Sequence, residues 1–307
     1  MRRRRSILSV PGSEARFHEK AAQAPADEVM FDLEDSVAPA AKERARRLVV
    51  TALRTHSYEG KVRSVRINSC ASPHCHQDVI HIVSEARRGS ASLIDCLVVP
   101  KVEEPAHVHF VDLLLGQLEA KLQLTSRIGL ELQIESARGL EAVGAISRSS
   151  PRIEALVFGP GDFAASLGLP TLEVGGGGEG GEGGRGFAPD FWLPFLARML
   201  VSARAGGLQA IDGPYGGIGD LDGLRSLAAA AARLGYDGKW ALNPAQAAVL
   251  NEVFTPSPEA LDRAREILAA HRQAVDDASA GALRLGDEMI DEASRQLAQA
   301  MVERAEG

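Results

Sequence analysis

An α/β fold that closes as a (β/α)8, or TIM, barrel is what this chain predicts, and three observations carry the prediction. Short apolar runs rich in β-formers alternate with longer helix-patterned segments, as parallel strands joined by helical crossovers require. The runs number eight. They fall within about 250 residues, the usual span of such a barrel, inside a chain of 307. Strand counting alone leaves a doubly wound open sheet as the alternative.

Taken in order, SILSV (6–10) is apolar and is stopped by Pro11 and Gly12. EVMFDL (28–33) opens like a buried strand and ends in acids: Asp32, Glu34 and Asp35 follow Val29, Met30 and Phe31 with no turn between. Residues 39–54 are helix-like. VRSVRI (62–67) carries Arg66 near its end, before a helix-like 77–88. DCLVVP (95–100) delivers Lys101, before 104–122. IGLELQI (128–134) delivers Glu135, before 137–148. IEALVF (153–158) runs into FGPGDFAASLG, with Asp162. Segment 190–205 precedes LQAI (208–211), which reaches Asp212, and 221–234 precedes KWAL (239–242), which meets Asn243 and Pro244.

Composition narrows the function classes. A net charge of −7 and few aromatic residues argue against a nucleic-acid binder. Three cysteines do not make a disulfide scaffold in a chain this long, so reduced thiols in the cytoplasm are expected, with the mitochondrial matrix as the alternative for a eukaryotic source. No apolar run nears the ~20 residues of a membrane span. MRRRRS is basic, but ILSVPG after it is too short for a signal-peptide core, so a solvated basic start is expected. CASPHCHQDVIH (70–81) gathers two cysteines and three histidines without the spacing of a zinc module. It is expected to be a loop over the barrel mouth. EVGGGGEGGEGGRG (173–186) is a flexible low-complexity insertion, and it lacks the Lys-Ser/Thr and the following helix that a phosphate cradle needs.

In such a barrel the active site sits at the carboxyl ends of the strands, where nearly every strand here delivers a charged group. One acid there means little: Asp162 could be a helix cap and Asp212 a turn former. Together, carboxylates after strands two, five and six would converge and repel. A hard divalent cation resolves this. Mg2+, with Mn2+ as a substitute, takes one or two protein carboxylates and completes its shell with water and substrate oxygens. Glu135 and Asp162 are the expected ligands, with Glu34 and Asp35 holding the metal's waters. Arg66 suits an anionic substrate through a bidentate grip on carboxylate. A metal beside an arginine is equipped for a 2-oxo acid and for carbon–carbon bond chemistry next to a carbonyl. A structural alternative pairs Asp32, Glu34 or Asp35 with Arg66.

The motifs RRSILSVPGSEARFHEKA, DEVMFDLEDSVAPAAKERAR, VRINS, VVPKVE, LELQIESARGL, LVFGPGDFAASLG, AIDGPYGGIGDLDGL and LGYDGKWALNPAQ follow one another along the chain. Together they resemble the citrate lyase β-subunit-like branch of the HpcH/HpaI aldolase family, which includes malyl-CoA, β-methylmalyl-CoA and citramalyl-CoA lyases. The resemblance covers the chain apart from the glycine-rich insertion. It implies a barrel over 1–254 and a C-terminal lid and oligomerisation segment over 255–307, in a homotrimer or hexamer whose lid crosses to a neighbour. It implies Mg2+ on Glu135 and Asp162, Arg66 as the substrate arginine, Arg16 and Lys20 as contacts to coenzyme A, and Asp291 of DEMIDEA as the lid's catalytic acid. The implied reaction is cleavage of a 3-hydroxyacyl-CoA to acetyl-CoA or propionyl-CoA and a 2-oxo acid. The alternatives are a citrate lyase β subunit working on a carrier-protein thioester with α and γ partners, and a pyruvate-type class II aldolase on free aldehydes. The chain departs from the pattern at ALNPAQ, where Asn243 replaces a histidine.

Overall fold

In the computed structural model, which describes residues 2–170, 174, 189–278 and 282–306, the eight apolar runs form one closed parallel sheet. The strands are β1 (Ser6–Pro11), β2 (Glu28–Asp32), β3 (Val62–Arg66), β4 (Cys96–Val99), β5 (Gly129–Ile134), β6 (Ile153–Phe158), β7 (Gln209–Asp212) and β8 (Gly238–Ala241). Around the barrel each strand pairs with its neighbours in sequence, and β1 closes on β8 through Ser6 opposite Lys239. Side chains alternate along each strand. Ile7, Met30, Val98, Ala155, Val157, Ile211 and Trp240 form one small apolar cluster, while their neighbours Leu8, Val29, Phe31 and Leu97 join the larger one that packs with the helices.

The helices are α1 (Ala15–Gln23), α2 (Lys42–Thr55), α3 (Cys75–Glu85), α4 (Pro105–Leu122), α5 (Ala137–Ile146), α6 (Pro160–Ser166), α7 (Leu193–Ala205), α8 (Leu221–Leu234) and α9 (Pro244–Val253). Three of them, α1, α6 and α9, are short and were not among the expected helical segments. Helices this short are stabilised by packing more than by their own propensity. The region from Cys75 to His81 is the start of α3, not a loop over the mouth. Its apolar spacing decides this: Cys75, Val79, Ile82 and Val83 all turn into the core. Among the described residues no group of three or more His, Cys, Asp or Glu could hold a metal ion.

The basic N-terminus is not simply a solvated start. Arg4 is buried, with Nε 2.9 Å from Glu28 Oε2 and 3.0 Å from Glu131 Oε1, and Nη2 2.6 Å from Glu154 Oε2. Nη1 donates to Gln209 Oε1 at 2.6 Å. These partners come from β2, β5, β6 and β7, so one guanidinium ties four strands. Buried Glu28 and Glu131, with half-buried Glu154, need a cation, since a buried charge must be paired. The backbone of Arg4 also lies so close to Gly238 that a Cβ there would stand 1.8 Å from its carbonyl oxygen. Arg5 pairs with Asp27 outside this network.

Arg3–Phe254 form one compact unit, and Thr255–Gly307 with the first two residues form a second. The second contains α10 (Pro258–Ala278), a hairpin of β9 (Ala282–Leu285) and β10 (Glu288–Asp291), and α11 (Glu292–Glu306). The hairpin was not expected; Gly286 at φ 62° opens its two-residue turn. The glycine-rich stretch 173–186 lies outside the described residues, apart from Val174. Among the described residues no helix is long and apolar enough to cross a membrane.

Candidate metal and substrate site at the barrel mouth

The carboxyl ends of the strands open into a cleft of ≈ 550 Å3 lined by Asp35, Arg66, Gln133, Glu135, Asp162 and Trp240, among others. The acids arrive there by a folded loop after β2. Asp32 Oδ1 accepts from the Glu34 amide at 2.8 Å and Oδ2 from the Ser36 amide at 3.1 Å, which curls DLEDS back on itself. Lys42 from α2 donates to the Leu33 and Glu34 carbonyls, both at 2.7 Å, and holds the loop down.

Arg66, at the end of β3, faces this loop. Its Nε and Nη2 each meet an Asp32 carboxylate oxygen at 2.7 Å, a bidentate pair inside the barrel. Nη1 is left for Glu34 Oε2 at 3.2 Å and Gln133 Oε1 at 3.5 Å. The guanidinium lies 5.4 Å from the centre of the Trp240 ring. The expected grip on substrate is thereby modified: the fork already belongs to Asp32, and Nη1 is the corner beside Glu34. Burial pushes the Asp32 carboxyl up, but the charge and hydrogen bonds of Arg66 outweigh it and bring the group to about 2.

A prediction arises here. Arg66→Ala leaves Asp32 buried without its partner, and breaking such pairs costs about 3–5 kcal/mol. Asp32 ionises at about 2 in the fold and near 4 in the unfolded chain. Its contribution is therefore complete above about pH 4 and is lost as pH falls through about 2. Urea unfolding of wild type and Arg66→Ala at neutral pH and again at about pH 2.5 should show a gap that narrows in acid. A gap indifferent to acid would detach Arg66 from Asp32.

Lys101 joins the remaining acids. It follows β4 in a left-handed conformation, φ 53°. Its amide donates to Glu135 Oε1 at 2.7 Å. Its Nζ lies 2.6 Å from Glu34 Oε1, 3.2 Å from Asp35 Oδ1 and 3.8 Å from Asp162 Oδ2. Glu135 comes from the end of β5, and Gln133 Nε2 donates to its Oε2 at 2.5 Å. Gly159 makes room for it, since a Cβ there would stand 2.6 Å from that same oxygen. Burial, then Glu34 and Asp162, push the Glu135 carboxyl well above the usual range, with Arg66 and Lys101 opposing. Burial also raises Glu34, against the pull of Arg66 and Lys101.

Five carboxylates (Asp32, Glu34, Asp35, Glu135, Asp162) thus face three cations, Arg66, Lys101 and, on the loop after β2, Lys42. The excess is negative, the donors are all oxygen, and buried Glu34 Oε2, ion-paired with Arg66 Nη1 at 3.2 Å, accepts no hydrogen bond. A pair of these acids, not a converged group of three or more, fits a hard divalent cation, which takes few protein carboxylates and completes its shell with water.

Of the residues expected from sequence, Glu34, Asp35, Arg66, Glu135 and Asp162 share this mouth. Arg16 and Lys20 are exposed on α1, just beyond the end of β1 and one helical turn apart; Arg16 lies over Phe17 and 3.4 Å from Glu14. Asp291 belongs to the second unit, where Oδ1 accepts from the Ser294 amide at 3.0 Å as a cap of α11. Asn243 caps α9 by accepting from the Gln246 amide, and its Nδ2 reaches the Ile218 carbonyl at 3.2 Å. Asp212 is taken by Lys239 at 2.5 Å. Sequence reasoning gave no role to Lys101, Gln133 or Trp240. The only signal for Lys101 was a cation directly after a strand.

The model of the HpcH/HpaI aldolase/citrate lyase family matches residues 5–244. The L-malyl-CoA/beta-methylmalyl-CoA lyase of Rhodobacter capsulatus is 40% identical over 305 residues, covering 98% of this chain and 94% of that protein. The malyl-CoA/beta-methylmalyl-CoA/citramalyl-CoA lyase of Chloroflexus aurantiacus is 33% identical, covering 95% and 83%. Among solved structures, protein CitE from Mycobacterium tuberculosis in complex with magnesium, acetoacetate and coenzyme A aligns with a TM-score of 0.75 at 26% identity, covering 98% of each chain.

Proposed function

Since this chain belongs to the HpcH/HpaI aldolase/citrate lyase family, we propose that it is a Mg2+-dependent carbon–carbon lyase acting on a 3-hydroxyacyl-CoA. Malyl-CoA, β-methylmalyl-CoA and citramalyl-CoA are the substrates in view, giving acetyl-CoA or propionyl-CoA and a 2-oxo acid. The observation that carries the reading is the convergence of Glu34, Asp35, Glu135 and Asp162 on one strand-end rim beside Arg66.

Glu135 and Asp162 would hold Mg2+, and Glu34 and Asp35 its waters. The ion supplies Lewis acidity and a chelation point for carboxylate and hydroxyl oxygens. The remaining work falls to the chain. Arg66 turns Nη1 toward the substrate oxygen that becomes the carbonyl of the 2-oxo acid and stabilises its developing charge. Asp32 fixes that guanidinium, so little reorganisation is needed. Trp240 walls the same cleft and limits water at the reacting carbon. Arg16 and Lys20, presented on one face of α1, meet the phosphates of coenzyme A. The hydroxyl proton leaves to a water in the cleft, the oxygen's electrons form the carbonyl of the 2-oxo acid, and the bond between the carbon next to the thioester and the hydroxyl-bearing carbon breaks, its electrons passing to the thioester side as an enolate. Asp291, ionised at rest, takes a proton from solvent water and delivers it to that carbon, and in the synthetic direction removes a proton from it. In this reading the enzyme is a homotrimer or hexamer, and Asp291 comes from a neighbouring copy.

The test is incubation of the purified protein with malyl-CoA, β-methylmalyl-CoA, citramalyl-CoA and citryl-CoA, with Mg2+ or with EDTA, followed by mass spectrometry of acyl-CoA products. Metal-dependent acetyl-CoA or propionyl-CoA is expected, and it ceases with EDTA. Release of free CoA alone would assign thioester hydrolysis instead. No product from any of the four would set aside a CoA-ester lyase.

A further inference from the structure

Lys101 touches all four of the carboxylates assigned to the metal and its waters. Its amide donates to Glu135 Oε1 at 2.7 Å. Its Nζ lies 2.6 Å from Glu34 Oε1, 3.2 Å from Asp35 Oδ1 and 3.8 Å from Asp162 Oδ2. The backbone at this position is unusual. Among the described residues other than glycine, φ is positive at Lys101, 53°, and at Gln123, 52°. Gln123 is the left-handed cap of α4, a common way to end a helix. Lys101 ends no helix; it follows β4 and Pro100. A residue with a Cβ keeps such a conformation only where its surroundings fix it, and such positions collect at functional sites. Here the next residue is pinned on both sides. Val102 is buried, and its amide donates to the Gln133 carbonyl at 3.2 Å. Its own carbonyl lies so close to Gly139 of α5 that a Cβ there would stand 2.5 Å away. A clamped turn thus delivers both the amide and the ammonium of Lys101 to the acids.

The charges are divided unevenly. Glu34 is shared between two cations, with Oε1 on Lys101 and Oε2 3.2 Å from Arg66 Nη1. Asp35 and Asp162 have, among the described residues, no cation other than Lys101 within 4.0 Å. An ion held by Glu135 and Asp162 therefore draws on a carboxylate that the ammonium also claims. Two like charges this close oppose each other in a cleft of lowered dielectric. The Lys101 side chain is half-buried, so its end can give way toward solvent.

We propose that Lys101 is the positioning residue of this rim: it gathers Glu34, Asp35, Glu135 and Asp162, and its ammonium restrains the affinity for the divalent cation, which stays exchangeable as a result. The proposal rests on the assignment of Mg2+ to Glu135 and Asp162. The two contributions of Lys101 are separable. Its amide survives any side-chain replacement other than proline, so Glu135 keeps that donor. Removing the ammonium leaves Glu34, Asp35 and Asp162 facing one another. That destabilises the protein without metal and strengthens the attraction for a dication.

The test is Mg2+ binding by titration calorimetry and Mn2+ binding by electron paramagnetic resonance, on the full chain and on its Lys101→Met and Lys101→Arg variants. Lys101→Met, apolar and unbranched, is expected to bind both ions about tenfold tighter than wild type. Its Tm in EDTA should fall, and saturating Mg2+ should raise that Tm by more than it does in wild type. Lys101→Arg keeps the charge and should bind within about threefold of wild type. A residue that only braced the rim would act in the opposite direction, since losing such a support costs about 10–100-fold in metal affinity. Weaker or unchanged binding in Lys101→Met, with the ions bound by wild type, would overturn the proposal. So would a gain that Lys101→Arg shares in full. Neither ion bound by any of the three proteins would set aside the metal assignment itself, and the proposal with it.

Discussion

Glu135→Gln is expected to lower Mg2+-dependent kcat/KM by about 10^3-fold while leaving the barrel folded. The magnitude follows from the several kcal/mol of charge stabilisation that a Lewis-acid ion supplies, at about 1.4 kcal/mol per tenfold. The sign on stability is opposite to that on activity. Burial, Glu34 and Asp162 all work against a charge at position 135, so a neutral amide relieves repulsion. It also keeps an oxygen for the Lys101 amide, which Glu135 now accepts at 2.7 Å. Calorimetric titration with Mg2+ should show weakened binding, and thermal unfolding without added metal should show a Tm unchanged or raised. Full activity in this variant would remove Glu135 from the metal site. Lost activity accompanied by a large fall in Tm would make it a structural residue instead.

Asp291→Asn is the second large effect. General acid–base groups contribute about 10^2–10^4-fold, so turnover should fall by about 10^3-fold with Mg2+ affinity untouched. Asparagine is the informative replacement. Asp291 caps α11 through the Ser294 amide, and losing a cap costs about 1 kcal/mol. Alanine would therefore mix a fraying helix with lost chemistry, whereas asparagine keeps the capping oxygen and removes only the proton-transfer group. The Ser294 bonds hold this carboxyl below the usual range, so it is charged at neutral pH and ready to take a proton. Exchange of the acetyl-CoA methyl protons with solvent deuterium reports the same step and should slow in parallel. Undiminished turnover would leave Asp291 as a helix cap and nothing more.

How far the sequence could be read follows from what each feature depends on. The eight strands were legible because apolar, β-rich runs report burial on both faces. Parallel alternation then places every strand end on one rim, so Glu34, Asp35, Arg66, Glu135 and Asp162 could be nominated before any coordinates. Features set by strand order and register were not legible. The sequence allowed Asp32, Glu34 or Asp35 to pair with Arg66, but that Asp32 takes the fork is set by register, since β2 and β3 pair with these two residues opposite each other. Lys101, in a left-handed backbone conformation, reaches Glu34 and Asp35 of the loop after β2 and Asp162 of α6. Nothing local distinguishes Arg4 from the arginines beside it, although it alone among them enters the acidic interior at Glu28 and Glu131. Asn243 was noticed for the histidine it replaces, but its capping of α9 depends on local backbone geometry.

The arginine on the barrel floor also sets an order of events. Arg4 precedes all of its partners along the chain, yet they lie on strands up to β7, and β1 must still await β8. Until β5 and β6 are made Arg4 lacks Glu131 and Glu154, and the early strands keep an open edge. Closure is then the late step, dominated by contacts distant in sequence, the kind that slows folding. An N-terminal truncation reaching Arg4 would be felt most during that assembly: fewer chains would reach the soluble, closed form, even where those that do carry an intact mouth.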